Sequence, residues 1–387
     1  MLTDPFTRAV GEAERLVAAA PHIRTEQDLL DGYRYLAGGI VATTQSTWAM
    51  DRAQPEFLSG TGPHTKMGLD NPDTLYFGAR ISDDVEYVVR GIRGTTTDLS
   101  FQVLSGNYTD SNVPEGGTAF DDRALEIEPD GTFEVRFGPE SGDGRRNYVQ
   151  LPAGATQLVA REVYNDWTQR RGTLTIARAD NGSLPKPLTH EAVERKWERA
   201  GEALVTRVKT WLQFPEWFYL NLPVNSLTEP RLTPGGLATQ YSSVGHYDIT
   251  DRQAIVITVP KSDAPYQGFQ LGSMWYISLD YVNHQTSLTS AQAQTDPDGM
   301  IRLVVAERNP GVANWIETTG HLRGYLQFRW QRLARELTAA DGPQLEVVDL
   351  DDVPAHLPYY DSNTIDAQSF TERIAARRLG IASRMLS

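Results

Sequence analysis

No cysteine occurs among the 387 residues, so disulfides, thiolate zinc sites and cysteine nucleophiles are all excluded. Long apolar runs are missing too. Residues 36–42 and 254–259 are core-sized, well short of the ~18 apolar residues of a membrane span. The opening MLTDPFTRAVGEAERL carries acids and lacks the apolar stretch of a signal peptide. A soluble, cytoplasmic chain with no membrane partner is expected. Basic charge is scarce: 36 Lys and Arg face 50 Asp and Glu, a net charge of −14. A nucleic-acid partner is therefore not expected, because phosphate recognition needs a basic face. Arg145-Arg146 and Arg377-Arg378 are too short to supply one.

Familiar catalytic motifs are absent as well. There is no GxSxG elbow and no GxGxxG turn, and Gly91-Ile-Arg-Gly-Thr-Thr96 lacks the lysine of a phosphate loop. His190-Glu-Ala-Val-Glu194 is not HExxH, and the seven histidines are scattered. Neither a cofactor nor a metal is expected, although ligands far apart in sequence stay open.

What is present is a change of period along the chain. Length alone implies two or three packed units. Residues 5–19 place Phe6, Val10, Ala13, Leu16 and Val17 at helical spacing, with Asp4 as the expected cap. Thr25-Glu-Gln-Asp28 opens a second helix carrying Leu29, Leu30, Tyr33, Leu36, Ile40 and Val41. Within it, Gly38-Gly39 either weaken the helix or admit another backbone. Residues 51–73, rich in Gly, Pro and Thr, are expected to form a long ordered loop, a type that is often functional.

From Thr74 the pattern alternates. Strands are expected over 75–81, 86–93, 99–104, 125–128, 132–137, 147–151, 157–163 and 174–179. Turns such as Pro129-Asp130-Gly131 and Asp180-Asn181-Gly182 separate them. Pro185-Lys-Pro187 breaks this run before a helix over 189–212 with Val193, Trp197, Leu204, Val208 and Trp211 on one stripe. A second strand-rich region follows, clearest at 254–259, 269–279, 300–306 and 324–330, with a turn at Pro297-Asp-Gly299. A short strand over 345–350 and a helix over 366–384 close the chain. In that helix Phe370, Ile374, Leu379 and Ile381 are expected to dock, with Arg373, Arg377, Arg378 and Arg384 elsewhere.

The expected fold is mainly β with α: two antiparallel β-sandwich or jelly-roll units with N-terminal, linker and C-terminal helices. The divisions fall at 1–60 for the N-terminal helices and loop, 61–183 for the first sandwich and 184–235 for a helical connector. Residues 236–345 make the second sandwich and 346–387 the tail.

Candidate functional residues lie where polar groups enter strands. Asn71, Asp73 and Tyr76 belong to Asn71-Pro-Asp-Thr-Leu-Tyr76, which either closes an Asx turn or faces a cleft with Arg93. Tyr164 and Asp166 sit in Arg161-Glu-Val-Tyr-Asn-Asp-Trp167, which reads as a sheet edge or a ligand contact. If 157–163 is a strand, Arg161 and Val163 share one face and Glu162 and Tyr164 the other. Trp275, Tyr281, Asn283, Gln285, Asn314, Trp315, His321 and Arg323 offer aromatic faces beside amides and a guanidinium, as a sugar or planar ligand requires. The alternative is a sandwich core with capped loops. Arg93, Asn283 and Arg323 are expected to share one cleft with Trp275 or Trp315 as a wall.

Three segments resemble the DUF1214 family, whose function is uncharacterised: Asn71-Pro-Asp-Thr-Leu-Tyr76, Tyr164-Asn-Asp-Trp167 with Gly172-Thr-Leu-Thr-Ile176, and residues 298–330. The last includes Asn309-Pro-Gly-Val-Ala-Asn-Trp315 and Gly320-His-Leu-Arg-Gly324. The resemblance implies a C-terminal jelly roll after another sandwich-like region, and no activity. The companion DUF1254 type matches the N-terminal half poorly. From the residues, the leading expectation is an enzyme using acid–base chemistry on a small polar or glycosidic substrate between the β units. His321, Tyr281 and Asp73 are its proton carriers, and an arginine steadies an anion. A non-catalytic carbohydrate or small-molecule binding protein and a structural protein, a homo-oligomer, are the alternatives.

Overall fold

The computed structural model describes residues 1–180, 182, 187–233 and 236–386. Asn181 of one expected turn and Pro185-Lys186 of the expected break lie outside the described residues. Helix α1 (Asp4–Ala18) takes Asp4 as its first residue, with Thr3 in the cap position, so Asp4 serves the helix dipole rather than capping. Helix α2 (Glu26–Ala49) starts on a reciprocal capping box: Asp28 N donates to Thr25 Oγ1 at 3.1 Å and Thr25 N to Asp28 Oδ2 at 3.0 Å. Gly38 admits another backbone, since a Cβ there would lie 2.6 Å from the His64 carbonyl oxygen.

The first β unit contains β1 (Thr74–Arg80), β2 (Tyr87–Ile92), β3 (Asp98–Ser105), β4 (Glu115–Asp121), β5 (Thr132–Gly138), β6 (Tyr148–Gln150), β7 (Ala155–Val163) and β8 (Thr173–Arg178). They form two sheets, ordered β1-β7-β3-β4 and β6-β5-β2-β8. Tyr87, Val89, Phe101, Val103, Val135, Phe137, Leu158 and Ala160 fill the space between. The expected strand at 125–128 does not form. Asp121 instead accepts from Arg123 N and starts a 3₁₀ turn at Asp122–Ala124. The strand lies earlier, at β4, whose paired glycines mask its pattern. Gly116 packs against the end of the Gln102 side chain, 2.3 Å from where a Cβ would sit.

Helix α3 (His190–Phe218) continues past 212 and through Pro215. The second unit follows: β9 (Arg231–Leu232), β10 (Tyr241–Asp248), β11 (Gln253–Pro260), β12 (Tyr266–Ser273), β13 (Ile277–Ser278), β14 (Ser287–Thr289), β15 (Met300–Ala306), β16 (Trp315–Glu317), β17 (Arg323–Gln331) and β18 (Gln344–Asp349). Its sheets run β13-β12-β17-β10-β9, with β14 also on β12, and β16-β15-β11-β18. Ile255, Ile257, Phe269, Leu271, Leu303, Val305, Leu326, Phe328 and Trp330 form its core. The expected 269–279 strand breaks into a hairpin, turning at Tyr276 with φ +55°.

The two units share one topology. Replacing β1, β2, β3, β5, β6, β7 and β8 by β10, β11, β12, β15, β16, β17 and β18 converts one strand order into the other. The correspondence reaches the two parallel pairings, β5 with β6 and β15 with β16, in otherwise antiparallel sheets. The fold is a duplicated sandwich, and β7 and β17 are equivalent nine-residue strands.

The tail adds α4 (Val353–His356) and α5 (Ala367–Leu386). Phe370 packs on Trp315 at 5.3 Å and Ile381 is buried, as an amphipathic docking helix requires. At three positions its face is the reverse of expectation, whereas Ile374 is half-buried and Arg378 exposed. Leu379 is 74% exposed, whereas Arg377 and Arg384 are buried. Arg377 donates to the carbonyls of Tyr281 and Ser287 and to Ser287 Oγ, and Arg384 lies 4.0 Å over the Tyr164 ring. These arginines meet backbone acceptors and a π face that a leucine could not use.

Candidate functional site

Alternation within equivalent strands builds the site. In β7, Leu158 and Ala160 point into the first core, leaving Gln157, Val159 and Arg161 on the other face. In β17, Leu326, Phe328 and Trp330 point into the second core, leaving Gln327, Arg329 and Gln331 outside. These outward faces meet across a cavity of about 240 Å³ between the two units. Trp211, Phe214 and Phe218 of α3 wall it, and Gly60, Thr61, Met67 and Gly68 of the long loop close another side. That loop is tethered at both ends of this arc: Leu58 bridges Gly78, and Arg207 donates to Thr65 and Lys66 carbonyls at 3.0 and 2.9 Å.

The lining is cationic inside an acidic protein. Its charged residues are Arg161, Arg231 and Arg329 against Asp70, and the Asp70 carboxylate already accepts from Ser278 N and Oγ at 3.0 and 2.8 Å. Arg329, 7% exposed, donates to Leu69 O, Gln270 Oε1 and, at 2.9 Å, Gln327 Oε1, all uncharged. Arg161 Nη1 is buried and has no hydrogen-bond partner among the described residues. Burial pulls the Arg161 guanidinium below its ordinary value, because taking the charge out of water is costly. Beside it, burial pushes the Tyr76 phenol up, and Tyr76 Oη accepts from Asn71 N at 2.9 Å, which leaves its proton to donate. Backbone strain collects here too: Leu69 and Tyr276, both on the wall, have φ of +49° and +55°.

The expected residues divide sharply. Tyr76 lines the cavity, and Asn71 holds it through its backbone while its side chain meets Tyr266 Oη at 2.9 Å. Asp73 accepts from Tyr266 Oη at 3.1 Å, and burial pushes its carboxyl up. Tyr164 is buried under Arg384, and Asp166 caps Thr168 N at 2.7 Å. Trp275 Nε1 donates to the Asp28 carbonyl at 2.6 Å and fastens α2 to the second unit. Tyr281 is covered by Lys66, 4.7 Å above its ring. Asn283 is exposed and bonded to Asp280, while Gln285 and Asn314 bind loop carbonyls. Trp315 Nε1 donates to Ala306 O at 2.9 Å.

His321 pairs with Asp31 through Nε2 and with Thr318 O through Nδ1 at 3.0 Å, so both ring nitrogens are engaged. The single cleft expected for Arg93, Asn283 and Arg323 is not assembled. Arg93 bonds Thr96 and Asp122 in the first unit, whereas Arg323 reaches His22 O and Asp28 at a surface groove. Local polar clusters mark these residues in the sequence, and most of their bonds close within the cluster. The signal for Arg161 and Arg329 lay in the alternation Gln327-Phe-Arg329-Trp-Gln331 and in the face Arg161 shares with Val163.

Among the described residues one acidic group could hold a metal, Asp98, Asp121 and Asp122. Guanidinium groups already fill it: Arg93 and Arg332 meet Asp122 at 2.9 and 2.6 Å, and Arg123 meets Asp121 at 2.6 Å. A cation would have to displace them.

No family profile and no curated protein matches the chain. The solved structure of an uncharacterized protein from Burkholderia cenocepacia is similar, at 27% identity and a TM-score of 0.80, over 89% of this chain and 96% of that one. A protein from Vibrio parahaemolyticus aligns at 12% identity and a TM-score of 0.45, over 87% of this chain and 100% of that one.

Proposed function

We propose that the chain is a small-molecule binding protein whose cavity between the two β units takes a small organic anion. One observation carries the reading: the guanidinium groups of Arg161, Arg329 and the exposed Arg231 outnumber one occupied carboxylate around a partly open cavity between the two units. Buried charge without a partner is costly, so such a site favours a ligand that brings the missing negative charge. Thermal-shift measurements with a panel of small organic acids test it. Binding at one hundred times Kd stabilises by about 2.7 kcal/mol, a melting rise of several degrees. If no acid shifts the transition at millimolar concentration, the reading fails.

Acid–base turnover of a polar or glycosidic substrate is a second reading, and Tyr276 supports it. This wall residue holds a left-handed backbone of the kind that collects at functional sites, and burial raises its phenol, whose hydroxyl is hydrogen-bonded to Tyr219. Tyr276→Phe should then abolish product formation from a bound acid while binding persists; equal product from both proteins removes the enzyme. Assembly into a homo-oligomer has support in the exposed Leu30, Tyr33 and Val41 along α2. Kinship with the DUF1214 family rests on the sequence motifs and adds no activity.

A further inference from the structure

We infer that the anion is a monocarboxylate with a ring or branched apolar body, its acid group on Arg161 and Tyr76 and its body against α3. This rests on the anion-binding reading above and names the class of ligand.

The duplication supplies an internal control. Arg161 is the seventh of nine residues in β7, and Arg329 is the seventh of nine in β17. Two residues before each arginine, Val159 pairs across the sheet with Gln102, and Gln327 pairs with Gln270. In the second unit both glutamines turn their oxygens onto Arg329, and Leu69 O completes the set. The fold thus shows how it satisfies an arginine kept for structure. In the first unit that arrangement is dismantled. Valine replaces the second glutamine, and Gln102 donates its Nε2 to Gly116 O at 3.0 Å and Gly236 O at 3.1 Å while its Oε1 meets no partner among the described residues, Arg161 included. Among the described residues Arg161 Nη1 is left with no acceptor. Equivalent positions with opposite outcomes point to a donor reserved for something outside the chain.

Donor number sets the head group. Arg161 offers a buried free Nη1, Tyr76 offers its phenolic proton, and Arg329 adds charge with its terminal nitrogens already engaged. Two donors suit the two oxygens of a carboxylate. A phosphate monoester or a dicarboxylate would have to draw its further donors from the exposed Arg231 or the uncharged lining, and unmet buried acceptors are penalised.

The rest of the cavity sets the body. Trp211, Phe214 and Tyr276 form a continuous aromatic wall, with ring centroids 5.3 to 5.9 Å apart. A cavity of about 240 Å³, near the small end of the usual ligand-pocket range, suits a small acid on the order of ten non-hydrogen atoms.

Calorimetric titration with benzoate, phenylacetate and cyclohexanecarboxylate, against succinate and phenyl phosphate, tests the class. Ring monocarboxylates should bind at least tenfold tighter than the other two. Arg161→Gln should weaken them thirtyfold or more. Val159→Gln keeps the arginine but restores the acceptor found in the second unit, and should weaken them about tenfold, with a melting temperature equal to or above the parent. It also decides the matter if Arg161→Gln fails to fold. Tighter binding of succinate or phenyl phosphate overturns the monocarboxylate while leaving an anion site. Wild-type affinity in Val159→Gln overturns the placement on Arg161. No binding by any probe overturns both this inference and the reading beneath it.

Discussion

Asp98 illustrates how one buried group reports on the seam between the halves. It is 2% exposed, and Arg332 of the second unit stands 3.8 Å away while Asp121 and Asp122 press from the same side. Burial, then the Asp121 charge, push its carboxyl up to about 7. The folded value exceeds the unfolded one, so the folded chain holds this proton more tightly. That contribution is complete below about pH 4 and is lost as pH rises through about 7. Asp98→Asn, which cannot ionise, should therefore gain on wild type as pH increases. Urea unfolding at pH 4.5 and pH 8 should show a relative gain of about 1–3 kcal/mol at the higher value, at roughly 1.4 kcal/mol per pKa unit discounted for relaxation. An equal difference between the two proteins at both pH values would show that Asp98 does not titrate in this range.

Elements were legible where one face is apolar and hidden where glycine or arginine does the packing. The box at Thr25 and Asp28, and the strands over 132–137 and 157–163, follow from pattern because their cores are hydrocarbon. Strand β4 escaped because Gly116 and Gly117 carry no side chain to alternate. The α5 face was inverted because periodicity treats every arginine as solvent-seeking, and only the third dimension brings the carbonyls of Tyr281 and Ser287 to Arg377. Removal of residues 364–387 should lower the melting temperature by several degrees, since it strips cover from Trp315, Tyr164 and Ser287. An unchanged melting curve would mean that α5 contributes nothing. Gly38 makes a finer test of the loop. Gly38→Ala drives a methyl group to 2.6 Å from His64 O and should cost about 1–3 kcal/mol. Gly60→Ala meets nothing within 4 Å and should stay within about 0.5 kcal/mol. Equal stability of the two variants would show that the loop yields freely.

At the scale of the molecule, two sandwiches were readable from strand spacing, but their shared topology was not. Equivalence lies in which strands neighbour which, and neighbours in a sheet such as β2 and β8 are far apart in sequence. The cavity was hidden for the same reason. Arg161 and Arg329 are 168 positions apart, and nothing local tells one that the other faces it. Clusters of mixed polarity near Trp275 and His321 were conspicuous because they are local, and they turned out to be fastenings between α2 and the second unit.

Each half keeps its own hydrocarbon interior, and from β7 and β17 the chamber borrows side chains turned away from both interiors. Positions 157, 159 and 161 can accordingly change size or charge while the inward residues that alternate with them stay as they are, whereas 327, 329 and 331 are held by their own buried hydrogen bonds. A lineage carrying this architecture is free to explore new ligands by drift on one side of a single strand, and selection on foldability would scarcely register the search.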